Sequence, residues 1–321
     1  MKSSNKNTAS QAAKSPVRSA VLSMRGAWIA VGVLSMFVNI LMLTGPLYML
    51  QVYDRVIASQ SMSTLAVLSL LMVAMYAFMG LLDFFRSRVL VRIGTYVDEE
   101  LSGPLFKNWL QQGVRGKLKN GHKPLRSLAV IKRFLVGPAP TTFFDIPWTP
   151  VYIFVIFMID WTLGVFAVMG AVIVLLVAIA AELKTRSRER TSQISRAKSQ
   201  NFTQKVYSNS ETVISMGMTH EMLNRWEDLK REGEESDLSA SDISGGATAL
   251  SKSFRMFLQS AILGIGAALA IQQIITPGAM IAGSIILGRA LAPIQMIIGQ
   301  WRNFIQTKNC LLYTSPSPRD S

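Results

Sequence analysis

From Phe143 to Glu182 the chain is almost uniformly apolar, and Asp160, beside Trp161 and Thr162, interrupts the middle of this stretch. A bilayer core of about 30 Å needs roughly 20 apolar residues for each helical span, so the stretch has the length of two spans. Backbone groups in lipid must be hydrogen-bonded within their own segment, which requires helices here. The stretch therefore predicts a membrane hairpin of two helices joined by a tight turn at Asp160.

Apolar runs elsewhere in the chain predict four further spans. Half of the residues are hydrophobic and only 16% are charged, which is typical of membrane proteins. Short connections, at 51–63, Asp160 and 276–278, alternate with long ones at 86–142 and 182–256. The fold class is an all-α membrane protein, and the predicted spans are about 27–50, 65–85, 144–159, 163–181, 254–275 and 280–298.

The formal charge of +14 indicates an orientation in the membrane. Most of the 33 Lys and Arg residues lie in residues 1–26 and in the two long loops, whereas the short turns hold only Arg55. Because basic residues mark the cytoplasmic side, we expect both termini and both long loops to be cytoplasmic in a multi-pass protein. The basic residues flank the spans and form no patch interleaved with aromatic residues, which argues against nucleic-acid binding.

The segments outside the spans differ in character. Residues 1–26 are rich in Ser, Lys and Asn without apolar periodicity, which predicts a disordered cytoplasmic tail. Both long loops carry charges at helix-like spacing, so we expect the spans to continue as helices tens of ångströms into the cytoplasm. One Cys and two His leave no disulfide framework and little for a metal site.

Five blocks stand out in order along the chain: GPLYMLQVYDRVIASQSMSTL (45–65), FRSRVLVRIG (85–94), IKRFLVGPAPTTFFDIPWTPVYI (131–153), ETVISMGM (211–218) and SIILGRALAPIQMIIGQW (284–301). They resemble the membrane domain of the type I secretion permease/ATPase family, the ABC exporters that move protease-, lipase- and haemolysin-like proteins out of Gram-negative bacteria. The similarity runs from about Trp28 to Asn303.

The resemblance implies a six-helix ABC exporter (type 1) transmembrane domain over residues 27–303, working as a homodimer in the bacterial inner membrane. It implies coupling regions that rest on nucleotide-binding domains carrying ATP and Mg²⁺. It also implies a periplasmic adaptor protein, an outer-membrane channel and a secreted protein as substrate. The coupling residues by position are Asn120, Lys123 and Arg126 in the first region and Gln204, Tyr207 and Glu211 in the second.

The chain departs from this family in two respects. No GxxxxGK[ST] phosphate loop occurs in the sequence, so we expect this chain alone not to hydrolyse ATP. Residues 309–321, which include CLLYTSPSPRDS, break from the family pattern where a helical extension should continue. We therefore expect a truncated reading frame or foreign sequence joined near Asn309.

Two groups of residues are candidates for function within the spans. Arg289 lies about nine residues inside the predicted sixth span, roughly 14 Å deep, and either lines the translocation path or pairs structurally with a neighbouring helix. Pro293 is either a hinge or a passive kink. At the start of the third span Pro147 and Pro150 remove backbone donors and could serve gating, and Asp145 either joins in gating or only caps the helix start.

Two acidic residues at span ends have simpler interpretations. We expect Asp83 to form an ion pair with Arg86 or Arg88 at the cytoplasmic rim. Asp54 and Arg55 are expected in an outer turn that is either solvated or in contact with the adaptor.

The sequence holds no candidate for a catalytic residue, because the intramembrane charges are single and no Ser or Cys stands in a nucleophile motif. Two alternative functions stay open. One is an ABC exporter of lipid or small molecules. The other is a non-catalytic membrane scaffold or inactive fragment.

Overall fold

The computed structural model describes residues 23–114 and 124–314, and all regular structure within these ranges is helical. Six helical segments there are long and apolar enough to cross a membrane. The predicted fold class, an all-α membrane protein with six spans, is confirmed. We number the segments span 1 (Arg25–Ser59), span 2 (Met62–Gln111), span 3 (Pro138–Ile159), span 4 (Trp161–Ala180), span 5 (Thr219–Ile271) and span 6 (Pro277–Ile297).

Four of these spans belong to helices that exceed the thickness of a bilayer. Met62–Val114 and Thr219–Ile271 have 53 residues each, Trp161–Ser208 has 48 and Pro277–Thr314 has 38. At about 1.5 Å per residue, the longest extend roughly 80 Å. We call the end from which these helices project the extension end of the bundle, and the opposite end the turn end. The helical extensions that the loop charges predict are therefore present.

Span 1 is helical for longer than the sequence predicts. It comprises helices Arg25–Leu41, Thr44–Gln51 and Ile57–Ser59 with a π-helical turn over Val52–Val56. The chain reverses only at Gln60, whose φ of 52° is left-handed. The predicted polar turn over 51–63 is therefore wrong for residues 51–59. Polar side chains suggested a turn, but the backbone stays helical, and the Asp54 carboxylate finds its partners at the start of span 6.

Asp54, in that π-helical turn, bonds to the start of span 6. Its carboxylate accepts hydrogen bonds from Gly278 N at 2.9 Å and Thr276 Oγ1 at 2.6 Å. The carboxylate thus caps a helix N-terminus, where a negative charge is favoured. A solvated turn at Asp54 is therefore the wrong interpretation, and the break between spans 5 and 6 lies at 272–276, earlier than predicted.

The turn between spans 3 and 4 is as tight as the apolar hairpin predicts. Span 3 ends at Ile159 and the next helix begins at Trp161. Asp160 is the N-cap residue, and its carboxylate accepts hydrogen bonds from the backbone amides of Thr162 and Leu163 and from the Thr162 hydroxyl. Asp160 therefore starts span 4 directly, which leaves room for only one residue between the helices.

The buried apolar side chains form two clusters. The first joins spans 1 and 2 to the helix Pro124–Val136 and includes Val31, Ile93 and Ile131. The second joins spans 3, 4, 5 and 6 and includes Ile156, Leu163 and Leu287. Span 1 also reaches the second group of spans, because Leu43 packs against the second cluster and Asp54 bonds to the start of span 6.

The chain ends fall partly outside the described residues. Most of the predicted tail, residues 1–22, is outside them, and so are residues 315–321. The helix of span 6 continues to Thr314, five residues beyond Asn309.

The close approach of Gly278 to Asp54 predicts a destabilising substitution. A Cβ at position 278 would stand 2.6 Å from Asp54 Oδ1 and 2.8 Å from the Leu50 carbonyl oxygen. The backbone atom cannot swing away, so we expect Gly278→Ala to lower the free energy of unfolding by about 1–3 kcal/mol. Thermal unfolding of the detergent-solubilised protein measures this. Gly264→Ala, where no atom lies within 4 Å of the added Cβ, is the matched control and should not destabilise.

The Asp160 cap predicts a pH-dependent contribution to stability. The hydrogen bond from the Thr162 side chain, with the two backbone amide bonds, lowers the pKa of Asp160 below its ordinary value of 3.8. The ionised carboxylate therefore stabilises the fold above about pH 4, and this stabilisation is lost as pH falls through the folded-state pKa. We expect Asp160→Ala to cost about 1 kcal/mol at neutral pH and progressively less at lower pH.

The control for the cap is Asp160→Asn, which can accept the same amide bonds without titrating in this range. Unfolding midpoints of the wild type and of both variants at neutral and acid pH make the comparison. An equal cost of Asp160→Ala at both pH values would contradict the assignment.

Candidate functional site

Arg86 lies where the two packing clusters meet. Its Nη2 contacts Asp83 Oδ1 at 2.6 Å on the same helix, and its Nη1 contacts Asp145 Oδ1 of span 3 at 3.5 Å. Nη1 also donates to Ser35 Oγ of span 1 at 3.3 Å. One guanidinium therefore connects spans 1, 2 and 3 through three oxygen atoms.

Asn39 extends the same network on span 1. Its Nδ2 donates to Asp145 Oδ1 at 2.7 Å and to the Ser35 carbonyl at 2.8 Å. The Tyr152 hydroxyl, from span 3, lies 2.9 Å from both Asn39 O and Asn39 Oδ1 and donates to this residue. We call Ser35, Asn39, Asp83, Arg86, Asp145 and Tyr152 the polar bridge. Because Tyr152 belongs to the second apolar cluster, the bridge joins that cluster to spans 1 and 2.

Burial makes this network energetically demanding. Arg86 is only 8% exposed, and Ser35, Asn39 and Tyr152 are buried as well. A buried charge is costly unless it is paired and hydrogen-bonded, and here two carboxylates face one guanidinium. Arg86 Nε is buried without a hydrogen-bond partner among the described residues. The bridge therefore holds one more carboxylate than guanidinium, and one of its buried donors has no partner among the described residues.

A cavity of about 220 Å³ adjoins the bridge near Gly137, where the helix Pro124–Val136 ends and the helix Pro138–Asp145 begins. Asp83, Arg86, Ser87 and Thr141 supply its polar lining, and the volume is large enough for water molecules. Among the described residues no group of three or more His, Cys, Asp or Glu side chains is arranged to hold a metal ion. The cavity can therefore hold water that exchanges hydrogen bonds with the bridge. The described residues form no metal-binding site there.

The predicted residues at the start of span 3 are partly placed as expected. Asp145 makes no capping hydrogen bond, so the capping interpretation is wrong; its carboxylate faces Arg86 and Asn39 because neighbouring spans offer it stronger donors. The predicted pair of Asp83 with Arg86 is confirmed. Pro147 lies in a 3-10 turn, Ile146–Trp148, and Pro150 in the first turn of Thr149–Ile159. Their gating role stays a prediction.

Arg289 and Pro293 lie on span 6, next to span 3. The Thr149 hydroxyl donates to the Ala290 carbonyl at 3.1 Å, which places Arg289 at the level where the helix Thr149–Ile159 of span 3 begins. The Arg289 side chain is exposed on the single chain, whereas Pro293 is buried inside its helix. An exposed arginine at this depth is compatible with a path lining, which stays a prediction for both residues.

The predicted coupling residues of the first region are only partly described. Asn120 and Lys123 lie outside the described residues, and Arg126 is in the first turn of the helix Pro124–Val136.

The residues predicted as the second coupling region form the tip of the extension end. Gln204 and Tyr207 lie in the last turns of Trp161–Ser208, and Glu211 lies in the short helix Ser210–Ser215. The chain then reverses at Gly217, whose φ is 68°. Tyr207, Ile214 and Met216 are 76%, 69% and 66% exposed there. The tip thus presents apolar side chains on a projection of charged helices, which is typical of an interaction surface.

Sequence reasoning missed three members of the bridge, Ser35, Asn39 and Tyr152. The signal available was Ser35 and Asn39 at i and i+4, which places two polar side chains on one face of an otherwise apolar span. Tyr152 gave no local signal, since its hydroxyl is satisfied only by another span.

Comparisons with known proteins agree with the six-span fold. The family described as ABC transporter transmembrane region matches residues 28–291. The "Type I secretion system ATP-binding protein PrsD" of Rhizobium meliloti is 37% identical over 290 residues, which are 90% of this chain and 50% of that protein. The "Cyclolysin secretion/processing ATP-binding protein CyaB" of Bordetella pertussis is 24% identical over 284 residues, covering 85% of this chain and 39% of that protein.

A solved structure shares the fold. The structure titled "Structure of a bacterial Atm1-family ABC exporter with ATP bound" superposes with a TM-score of 0.75 at 14% sequence identity, covering 91% of this chain and 53% of that one. The chain spans about half the length or less of the relatives it matches.

The polar bridge predicts energetic coupling between Arg86 and Asp145. Removing either partner leaves the other buried with fewer partners, so we expect Arg86→Gln and Asp145→Asn each to destabilise the fold by about 1–3 kcal/mol. The double variant should lose less than the sum of the two, by about 1 kcal/mol. Asp83→Asn is the control for the single carboxyl variant, and it should cost less than Asp145→Asn because Asp83 is the more exposed carboxylate.

Thermal unfolding in one detergent measures all four variants. Additive effects of Arg86→Gln and Asp145→Asn would show that the two side chains contribute independently.

Proposed function

The chain belongs to the ABC transporter transmembrane region family, and we propose that it is the membrane-spanning half of an ATP-driven exporter for type I protein secretion. The observation that carries this proposal is the 37% identity to a type I secretion protein over 90% of the chain. The exporter fold supports it independently. In this function the six spans form the path along which a secreted protein crosses the membrane.

The proposed location is the bacterial inner membrane, with the extension end and both termini in the cytoplasm. The distribution of Lys and Arg supports this orientation, because the long connections at the extension end carry most of them. The turn end then faces the periplasm. There the periplasmic adaptor would meet the short turns, and the outer-membrane channel would continue the path.

Energy would enter through an ATPase domain. This chain's own residues provide no phosphate cradle, since the sequence has no GxxxxGK[ST] motif. ATP and Mg²⁺ would supply binding energy at the nucleotide-binding domains of a homodimer. The role of this chain is to receive that movement, and the apolar tip at Tyr207, Ile214 and Met216 is a suitable contact. The region 120–127 would form the second contact.

The polar bridge is the proposed gate within the chain. Spans 1 and 2 pack in one cluster and spans 3 to 6 in another, so the path can open when the clusters shift relative to each other. Arg86, Asp145 and Asn39 connect the clusters by charge and hydrogen bonds, and water in the adjoining cavity can replace these partners when the clusters shift. The Pro147 and Pro150 bend would let span 3 follow this movement.

The function is testable in cells that lack their own type I exporter. A fusion of this chain to the ATPase domain of the Rhizobium meliloti relative should export a protein with a carboxy-terminal secretion signal into the medium. Replacing Ile214 and Met216 together by Ser should reduce export at least severalfold, because the tip loses apolar area that contacts the ATPase domain. Immunoblots of medium and membranes measure export and insertion.

Leu238→Ser is the matched control. Leu238 is also exposed on the extension of span 5 but lies away from the tip, so export should persist. A correctly inserted fusion that exports no such protein, but whose ATPase activity rises with lipid or small molecules, would overturn the proposal in favour of the alternative substrate class.

A further inference from the structure

Span 5 carries a polar stripe that faces span 6. Ser251, Arg255 and Gln259 stand at i, i+4 and i+8 and so share one helix face. Gln295 Nε2 donates to the Ser251 carbonyl at 2.8 Å, and Gln259 Nε2 donates to the Ser284 carbonyl at 3.3 Å. Both ends of the stripe are therefore attached to span 6, and Arg255 lies between them.

The two hydrogen bonds set the register of the antiparallel spans. Ser251 is opposite Gln295 and Gln259 is opposite Ser284, so Arg255 stands close to the level of Arg289. The close fit of Gly288 supports this register, because a Cβ there would come within 2.3 Å of Gln259 Nε2. Two arginines on adjacent spans therefore lie within about one helical turn of each other along the bundle.

Arg289 lies within the apolar part of the bundle, and Arg255 lies nearer its extension end. Arg289 follows the start of span 6 by twelve residues and Arg255 precedes the end of span 5 by sixteen, which is about 18 Å and 24 Å from the turn end. A bilayer core is about 30 Å thick. Guanidinium groups at such depth face water or an anionic partner.

Neither arginine has such a partner within the chain as described. None of the ion pairs among the described residues includes Arg255 or Arg289. Arg255 Nε is buried without a hydrogen-bond partner there, and Arg289 is exposed although Leu287, Ala290 and Leu291 beside it are buried. Among the described residues both guanidinium groups therefore lack an anionic partner and can take one from outside the chain.

We propose that Arg255 and Arg289 form a binding station for carboxylates of an extended acidic polypeptide in transit. This proposal rests on the proposed function, which makes a polypeptide the molecule in the path. Each guanidinium can bind a carboxylate through two parallel hydrogen bonds. From Ser251 to Gln259 the stripe is about 12 Å long, which matches three to four residues of an extended chain at about 3.3 Å each.

The proposal can be tested by peptide binding to the 321-residue chain in lipid nanodiscs, without any ATPase domain. The probes are a labelled Gly-Ser peptide with regularly spaced Glu and its Gln counterpart, and fluorescence anisotropy gives the two Kd values. We expect the Glu peptide to bind tighter, and Arg255→Gln and Arg289→Gln each to weaken it roughly tenfold, since a charged hydrogen-bonded contact is worth about that factor. The double variant should lose the preference for Glu.

Arg88→Gln is the matched control. Arg88 is an exposed arginine that lies over the Phe84 ring on span 2, away from the stripe, and its replacement should leave the preference for Glu unchanged. Arg289→Glu reverses the charge at this position, so this variant should bind a Lys version of the peptide more tightly than the Glu version. A misfolded protein would show no such new preference.

Two outcomes would overturn the proposal. In one, the double variant keeps the full preference for Glu. In the other, anionic phosphatidylglycerol in the nanodisc displaces the Glu peptide and the arginine variants change only this lipid effect, which would assign the site to a lipid headgroup. Failure of the proposed function appears elsewhere, as absence of export by the fusion protein, so the two ideas fail independently.

Discussion

The buried guanidinium of Arg86 is the charge on which the arrangement of spans 1, 2 and 3 depends. Lipid offers it no hydrogen bonds, so its partners must come from other spans, and Ser35, Asp83 and Asp145 supply them. Each partner is on a different element, which means that satisfying one side chain fixes three helices relative to one another. The two apolar clusters lie on either side of this network.

The two ends of the bundle are held in different ways. At the turn end, carboxylates bond directly to helix starts: Asp160 caps span 4, and Asp54 caps span 6 from span 1. At the extension end the helices of spans 4 and 5 pack along each other, with Asp237 bonded to Ser192 and Arg196. Capping at one end and long pairwise packing at the other favour movement that pivots near the turn end.

The sequence was a good guide wherever a local rule decides the structure. Apolar length predicted the six spans, and the Asp160 interruption predicted the hairpin. The sequence was a poor guide where a residue far along the chain determines the local structure. Residues 51–59 stay helical and Asp54 bonds to span 6. The Asp145 carboxylate pairs with Arg86 instead of capping its own helix. Ser35, Asn39 and Tyr152 were missed for the same reason, since their partners lie on other spans.

The long projecting helices have a mechanical consequence. The helix of span 4 continues 28 residues beyond Ala180 to Ser208, a rigid arm of about 42 Å. Tilting such an arm by roughly ten degrees at the membrane surface moves its far end by about 7 Å. A contact at the tip therefore acts on the spans through a long lever. Moving the tip near Ile214 by about one helical turn rotates the spans only slightly, so that their side chains slide past one another while the helices stay packed.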